Sequence, residues 1–372
     1  MTQRILVDLL GFSGGRGGTE TYAREICRRL PDALPDAAFL ALTGRAGAEA
    51  VRAFFPGAVR VVSGVGAGRV SWAAGEVFTV NALARRFGAD LVWTPANFGP
   101  VFRGVPRVST MHDVIYHHAV SHGGLQVSAR VSAALMTRTA RTADAVITGS
   151  ASAARELEEF MRVPASAVHV VPHGTQDPRR VTQPWEHVTP LGIVEGRPIV
   201  LSTGNRLPHK NFSGLLAAVA TIPPAQRPLT VVTGGGHDDP LRRDIDRWGL
   251  ERDVVLPGWV SAEQLESLYS VAALYVCPSL SEGFGLPVID AMRRGLCVLA
   301  HDVAVLREVG GDAARYADAT DAVGFGQAIL SSLIDADPAR AEAGRVWSQR
   351  FTWEGSAART AEVFTAVLDR RG

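Results

Sequence analysis

The chain has 372 residues, 47% of them apolar and 20% charged, and a formal net charge of +1. That length accommodates two domains with a core each, and the composition excludes a disordered or fibrous chain. Near-neutrality excludes a protein drawn by its overall field to nucleic acid or to an anionic membrane, and the scattered pairs Arg28-Arg29, Arg85-Arg86 and Arg293-Arg294 read as solvated helix faces.

The first apolar run, RILVDLL at 4–10, is too short to span a membrane and is followed by no cleavage site, so it reads as a strand. The glycine-rich stretch GFSGGRGGTETY, residues 11–22, comes next. It departs from a dinucleotide fingerprint: counted from Gly15, the pattern places Glu20 where a small residue is required, and no acid closes the following strand AFLALT. Gly15, Gly17 and Gly18 remain candidates for a loop that meets a phosphate or an acceptor; a structural turn is the competing reading. Between Thr19 and Leu30 the residues Tyr22, Ile26 and Leu30 fall on one helical stripe.

Apolar runs and helical stretches then alternate through VRVVS, ADLVWTP, RVSTMHD, ADAVITGS and VHVVPHG, which predicts a parallel sheet covered on both faces. His112 and Asp113 stand at the carboxyl end of one strand, where ligands collect in such folds. His117, His118 and His122 invite a metal reading, but there is no H-E-x-x-H and no clear third ligand, so no metal is expected and His112 is read as a polar contact to substrate. His173 is read as lining a cleft or hinge. The three cysteines, Cys27, Cys277 and Cys297, form no C-x-x-C and indicate neither a disulfide framework nor a zinc site; a reducing cytoplasm is the expected setting.

Residues 175–197 are rich in proline and charge without a clear period and read as a linker. The alternation restarts with PIVLSTGN, PLTVVTGG, DVVLPGW, LYVCPS and LCVLAHD, and Ser261 with Gln264 forms a capping-box pattern. The last segment, FTWEGSAARTAEVFTAVLDRR, reads as an amphipathic helix. Two doubly wound α/β domains are predicted, residues 1–178 and residues 179–351, facing each other across a cleft.

Two stretches of the second half carry candidate chemistry. In STGNRLPHKN, residues 202–211, Lys210 is the only lysine among 38 basic residues and stands near Arg206 in a strand-to-helix loop. An ammonium and a guanidinium together suit adjacent phosphates; chance survival on a solvated loop is the alternative. In EGFGLPVID, residues 282–290, Pro287 suits the first position of a helix, and Gly283, Phe284, Gly285 and Leu286 form the approach to its N-terminus, where free N–H groups favour an anion. Glu282 before the helix and Asp290 a turn inside it bracket that site. Carboxylates repel phosphate but accept hydrogen bonds from hydroxyls, so the pattern describes a nucleotide sugar; an ordinary glycine-rich loop is the competing reading. The chain has no G-x-S-x-G and no G-x-x-x-x-G-K-[ST], which argues against hydrolase and P-loop classes.

Taken in order, the N-terminal glycine loop, HDVIY, ITGSASAARELEEF, VVPHGT, GNRLPHKNF, VVTGGG, VVLPGWVSAEQLESLYSVA and EGFGLPVIDAM resemble glycosyltransferase family four, with the GT-B architecture, over nearly the whole chain. The resemblance implies that the closing helix, 352–372, crosses back to pack on the N-terminal domain, and it implies retaining transfer of a sugar from a nucleoside diphosphate sugar, without a metal or other cofactor. Arg206 and Lys210 would hold the diphosphate, Glu282 the donor hydroxyls, Phe284 and Gly285 the sugar and phosphate, and His112 would sit beside the reacting carbon. Gly15 and Gly17 would lie near the diphosphate or acceptor, and loops near Gly234 and Val260 would meet the base. The family has glutamate where this chain has Asp290, which puts ribose binding there in question. The implied partners are the donor and a sugar, lipid-linked or small-molecule acceptor, with at most peripheral contact at the inner face of a membrane. A non-hydrolysing nucleotide-sugar epimerase and a silent nucleotide-sugar-binding subunit are the rival readings.

Overall fold

The computed structural model describes residues 2–14, 17–65, 75–76, 79–117, 127–335 and 337–370. The chain divides into two compact units, an N-terminal unit of residues 1–174 with 352–372 and a C-terminal unit of residues 175–351. The division falls at Gly174/Thr175, slightly ahead of the 178/179 boundary expected from the sequence.

The N-terminal unit holds seven strands: β1 (Arg4–Leu9), β2 (Ala38–Thr43), β3 (Ala58–Val61), β4 (Leu91–Thr94), β5 (Arg107–Thr110), β6 (Ala145–Thr148) and β7 (Val168–Val170). They pair in parallel in the order β3-β2-β1-β4-β5-β6-β7. The apolar runs of the central strands, such as β4, β5 and β6, are buried on both faces, as a helix-covered parallel sheet requires, while the edge strands β3 and β7 are only partly buried. One covering layer is the helix Gly18–Ala33, whose stripe Tyr22, Ile26 and Leu30 is fully buried. The helix Trp353–Asp369 packs beside it, with Phe364 buried against Trp93 at 5.6 Å between ring centroids.

The C-terminal unit holds β8 (Ile199–Thr203), β9 (Leu229–Thr233), β10 (Val254–Gly258), β11 (Leu274–Cys277), β12 (Val298–His301) and β13 (Arg315–Ala317), parallel in the order β10-β9-β8-β11-β12-β13. Alternate residues feed opposite faces. Ile199, Leu201, Val231, Tyr275 and Val298 belong to one core, while Val200, Val232, Val276 and Leu299 belong to the other. The capping box forms as expected, with Gln264 N–H donating to Ser261 Oγ at 3.1 Å and Ser261 N–H to Gln264 Oε1 at 2.9 Å.

One expectation needs correction, and one strand was not foreseen. Residues 175–197 are not an unstructured linker. They carry the helix Pro184–Val188, and Val188 and Ile193 are fully buried in one of the two cores. β13 went unpredicted because its three residues are only partly buried and lack a continuous apolar run.

In each sheet the chain reverses its direction of winding at one place, between β1 and β4 in the first unit and between β8 and β11 in the second. The crevice at the carboxyl ends of such a strand pair is where open α/β sheets bind ligands. Around the second reversal the backbones approach closely. Gly234, at φ 92°, follows β9, and a Cβ there would overlap the Gly204 carbonyl at the end of β8. Gly234→Ala should therefore lower the stability of the C-terminal unit by roughly 2–4 kcal/mol. Gly236→Ala, where a Cβ would meet nothing within 4 Å, should be near neutral. Chemical denaturation of both variants checks this; equal midpoints would refute it.

Candidate active site

The loops after β8 and β11 meet at the second reversal point. After β8 the chain makes a short 3₁₀ turn, Pro208–Lys210, and Asn211 takes a left-handed conformation before the helix Phe212–Thr221. That geometry projects Lys210 toward the loop after β11. Its Nζ donates to Glu282 Oε1 at 2.6 Å, with side-chain exposures of 15% and 11%. The backbone reinforces the approach, since Leu280 N–H donates to the His209 carbonyl at 2.8 Å. Burial alone would raise the Glu282 pKa. The charge and hydrogen bond of Lys210, a hydrogen bond from Ser279 and the nearby His209 outweigh it and hold the carboxyl below its usual range. Glu282 is therefore ionised at neutral pH.

Arg206, expected at the diphosphate, is paired within the protein. Its Nε and Nη2 form a bidentate pair with Asp239 at 2.8–3.0 Å. Its Nη1 donates to the carbonyls of Gly204 and Thr233, and Nη2 also donates to that of Val232. All five guanidinium N–H groups are committed, and the plane lies 5.1 Å from the Phe212 ring centroid. In this conformation Arg206 is a brace that ties the loop carrying Lys210 to the end of β9. Asp239, its buried partner, was missed in the sequence because GGGHDDP offers two adjacent acids and no sign of which turns inward. Gly234 lies in this braced region, and Val260 packs partly buried against the core.

The helix after Glu282 runs Leu286–Arg293, so Pro287 is its second residue rather than its first. Gly285 caps it at φ 101°; a Cβ there would stand 2.9 Å from Leu306. Because Gly285 has no side chain, no side-chain cap covers the first N–H groups. Phe284 turns into the core against Ile289, Val309 and Phe351, with Leu286 packed beside it, so its side chain anchors the loop. Asp290 accepts a hydrogen bond from Thr175 and lies 3.8 Å from Arg294 Nη1, with a third of its side chain exposed. Burial of the rest raises its pKa despite Arg294 and Thr175. Arg294 is bidentate to Glu266 at 2.5 and 2.8 Å and covers the Tyr269 ring. Asp290 thus belongs to a carboxylate–arginine network on the flank of the helix.

In the N-terminal unit, the described part of the glycine loop places Gly17 at the cap of the helix Gly18–Ala33, and Glu20 accepts from Ser13 N–H at 2.9 Å and Ser13 Oγ at 2.6 Å. Gly15 lies outside the described residues. His112 N–H donates to Asn97 Oδ1 at 2.6 Å, and Asn97 also donates to Asp113, an orienting role the sequence did not signal. The His112 Nε2 faces the Pro95 carbonyl at 2.8 Å, which only accepts, so Nε2 carries the proton. Nδ1 then accepts from His173 Nε2 at 3.3 Å. Both ring nitrogens are engaged inside a buried cluster with Tyr22 and Trp353. In this arrangement the His112 ring, expected as a polar contact to substrate, is held by Pro95 and His173. Burial pushes the His112 pKa down to about 4, and His173 well below its ordinary value, so the pair is neutral. His117 is tied to Thr137 at 2.9 Å, while His118 and His122 lie outside the described residues. Among the described residues no group of three His, Cys, Asp or Glu side chains is placed to hold a metal, and no helix is long and apolar enough to cross a membrane.

Two Rossmann-like α/β units, the second with an ion pair across its winding reversal, define the GT-B class of fold. Two family models agree with it: Glycosyltransferase Family 4 matches residues 16–177 and Glycosyl transferases group 1 matches residues 184–344. Between them they take in both units, and the chain belongs to this family of glycosyltransferases. It is 37% identical over 172 residues to the O-antigen chain mannosyltransferase B of Escherichia coli, covering 44% of this chain and 45% of that protein. The chain spans about half the length of the curated relatives it matches. Among solved structures, the sucrose-phosphate synthase of Thermosynechococcus elongatus superposes with a TM-score of 0.76 at 21% identity, covering 99% of this chain and 100% of that one. Anabaena HepE in complex with UDP-glucose gives 0.72 at 20% identity, with 98% and 99% covered.

The buried histidines set a pH dependence. Unfolded, His112 binds a proton near 6.5; folded, near 4. Between those values the unfolded state takes up more protons, so stability is present above about pH 6.5 and is lost as the pH falls toward 4. Each histidine contributes up to about 1.4 kcal/mol per pH unit in that window. Thermal melts from pH 7 to 4 should show the loss, and His173→Phe should flatten it; an unchanged slope in that variant would disprove the assignment.

Proposed function

We propose that the protein transfers a hexose from a nucleoside diphosphate sugar to an acceptor hydroxyl with retention of anomeric configuration and without a metal ion. The observation that carries this reading is the Lys210–Glu282 pair astride the β8/β11 reversal, beside an uncapped helix N-terminus. The family supports transfer, and the UDP-glucose bound to HepE supports a nucleotide-sugar donor. The O-antigen mannosyltransferase supports a cell-envelope polysaccharide as acceptor, ahead of a small natural product.

In this mechanism the donor diphosphate approaches Lys210 and the N-terminus of the helix Leu286–Arg293. Lys210 exchanges part of its interaction with Glu282 for phosphate oxygens, and its charge grows more valuable as the glycosidic bond breaks and negative charge collects on the leaving group. That is the service a divalent cation performs in other transferases. Glu282, ionised throughout, accepts hydrogen bonds from the sugar hydroxyls and fixes the ring. Arg206 acts at one remove, holding the Lys210 loop against β9. Asp290, a third exposed, reaches the ribose directly or through a water. No enzymic nucleophile is invoked: the leaving phosphate takes the proton of the acceptor hydroxyl as it attacks the same face, so the new bond keeps the old configuration.

Lys210→Ala and Glu282→Gln should each lower kcat/KM about 10²–10³-fold. Arg206→Ala should act mainly through loss of order in the loop, with a depressed melting temperature as well as a reduced rate. Chelator should leave transfer unchanged, and product anomers read by NMR should match the donor. A panel of UDP-, GDP-, dTDP- and ADP-sugars in thermal-shift assays identifies the donor through the stabilisation that binding confers. Full activity in Lys210→Ala, or a covalent glycosyl-enzyme trapped in any variant, would overturn this mechanism.

A further inference from the structure

The N-terminal unit contains an open hollow of about 680 Å³ lined by Phe102, Arg103, Thr137, Arg138, Arg141 and Thr142. It lies where the loop leading into β5 meets the last turns of the helix Val127–Thr142, which leads into β6. This is the end of the sheet at which those strands begin. His112 and the glycine loop follow strand ends on the opposite side.

Three guanidinium groups line the hollow, and no carboxylate does. The helix supplying two of them, VSARVSAALMTRTART, contains no acidic residue. Among the described residues Arg103, Arg138 and Arg141 form no ion pair, whereas Arg197, Arg206, Arg227, Arg293 and Arg294 are each paired with a carboxylate. Arg138 is held in place, its Nε donating to the Val101 carbonyl at 3.2 Å. Behind the wall Arg107, almost fully buried, donates to the Thr139 carbonyl at 3.1 Å and to Thr142 Oγ1 at 2.5 Å; its own charge is answered by Asp144, Asp8 and Glu76, so it braces the wall and adds no free charge to the hollow. Asp144, the carboxylate following the helix, accepts the Arg107 backbone N–H at 2.9 Å. At the rim Phe102 is 54% exposed, an uncommon position for a large aromatic beside converging charges.

Like charges brought together without counter-ions repel, and a multivalent anion relieves that repulsion. Guanidinium forks arriving from two elements match the several oxygens of a phosphate better than the planar pair of a carboxylate. We propose that this hollow binds a phosphate-bearing ligand, with its anionic group among Arg103, Arg138 and Arg141 and its apolar portion on Phe102. The phosphate belongs either to the headgroup of an anionic phospholipid or to a soluble organic phosphate.

The test uses the full chain, with Arg138→Ala/Arg141→Ala and Arg138→Lys/Arg141→Lys as double variants. Co-sedimentation with phosphatidylcholine vesicles, with and without phosphatidylglycerol, probes the lipid source. Thermal shift with inorganic phosphate, in a Lys210→Ala background that removes the proposed donor site, probes the soluble one. The alanine pair should weaken whichever probe binds by roughly thirtyfold and the lysine pair should retain most of it, while both keep the wild-type thermal shift with nucleotide sugar. A response to phosphatidylglycerol alone assigns the headgroup; a response to free phosphate assigns the soluble ligand. If wild type binds neither probe, or the alanine pair binds as well as wild type, the proposal is wrong.

Discussion

The Lys210–Glu282 ion pair is the constraint around which the C-terminal unit is arranged. Either charge alone, this far out of water, would face a desolvation penalty of several kcal/mol; the two together largely offset it. Because the partners sit on loops leaving neighbouring strands in opposite directions, the pair also sets the distance between those loops. Two further arginine–carboxylate pairs repeat the device around it. Arg206 with Asp239 locks the β8 loop to β9, and Arg294 with Glu266 locks the helix Leu286–Arg293 to the helix Ala262–Val271. A charged ligand would meet a frame already organised by charge, with little reorganisation left to do on binding.

The N-terminal unit is built on the opposite principle at its corresponding edge. Tyr22, Trp93, His112, His173 and Trp353 form an aromatic and imidazole cluster: Trp93 Nε1 donates to Thr110, and the two histidines link to each other and, through His112, to Pro95. Burial keeps the imidazoles neutral. Such a cluster contributes shape and rigidity, with little net charge.

Much of this was legible in the sequence because its signals are local. Parallel strands buried on both faces are readable as apolar runs, and the stripe Tyr22, Ile26 and Leu30 declares a helix. Lys210 stood out by composition and Glu282 by its glycine-rich setting, and they proved to be partners. What escaped were relations across distance. Nothing local tells whether Arg206 faces a ligand or folds back on Asp239, or that His112 and His173, far apart in the chain, share a hydrogen bond. Residues 175–197 misled because proline and charge imply solvent, whereas the burial of Val188 and Ile193 depends on a partner helix that comes much later. The short strand β13 carries too few residues for any period to show.

The helix Trp353–Asp369 completes the core of the N-terminal unit although it is encoded after the whole C-terminal unit. On the ribosome, then, the second unit has its entire sequence before the first has its final layer. Until that layer arrives, Trp93 and Tyr22 lack the cover of Phe364 and Trp353 and stand exposed on an unfinished surface. Until residues 353–369 emerge, chaperone demand should therefore fall on the N-terminal unit, at the uncovered patch around Trp93 and Tyr22.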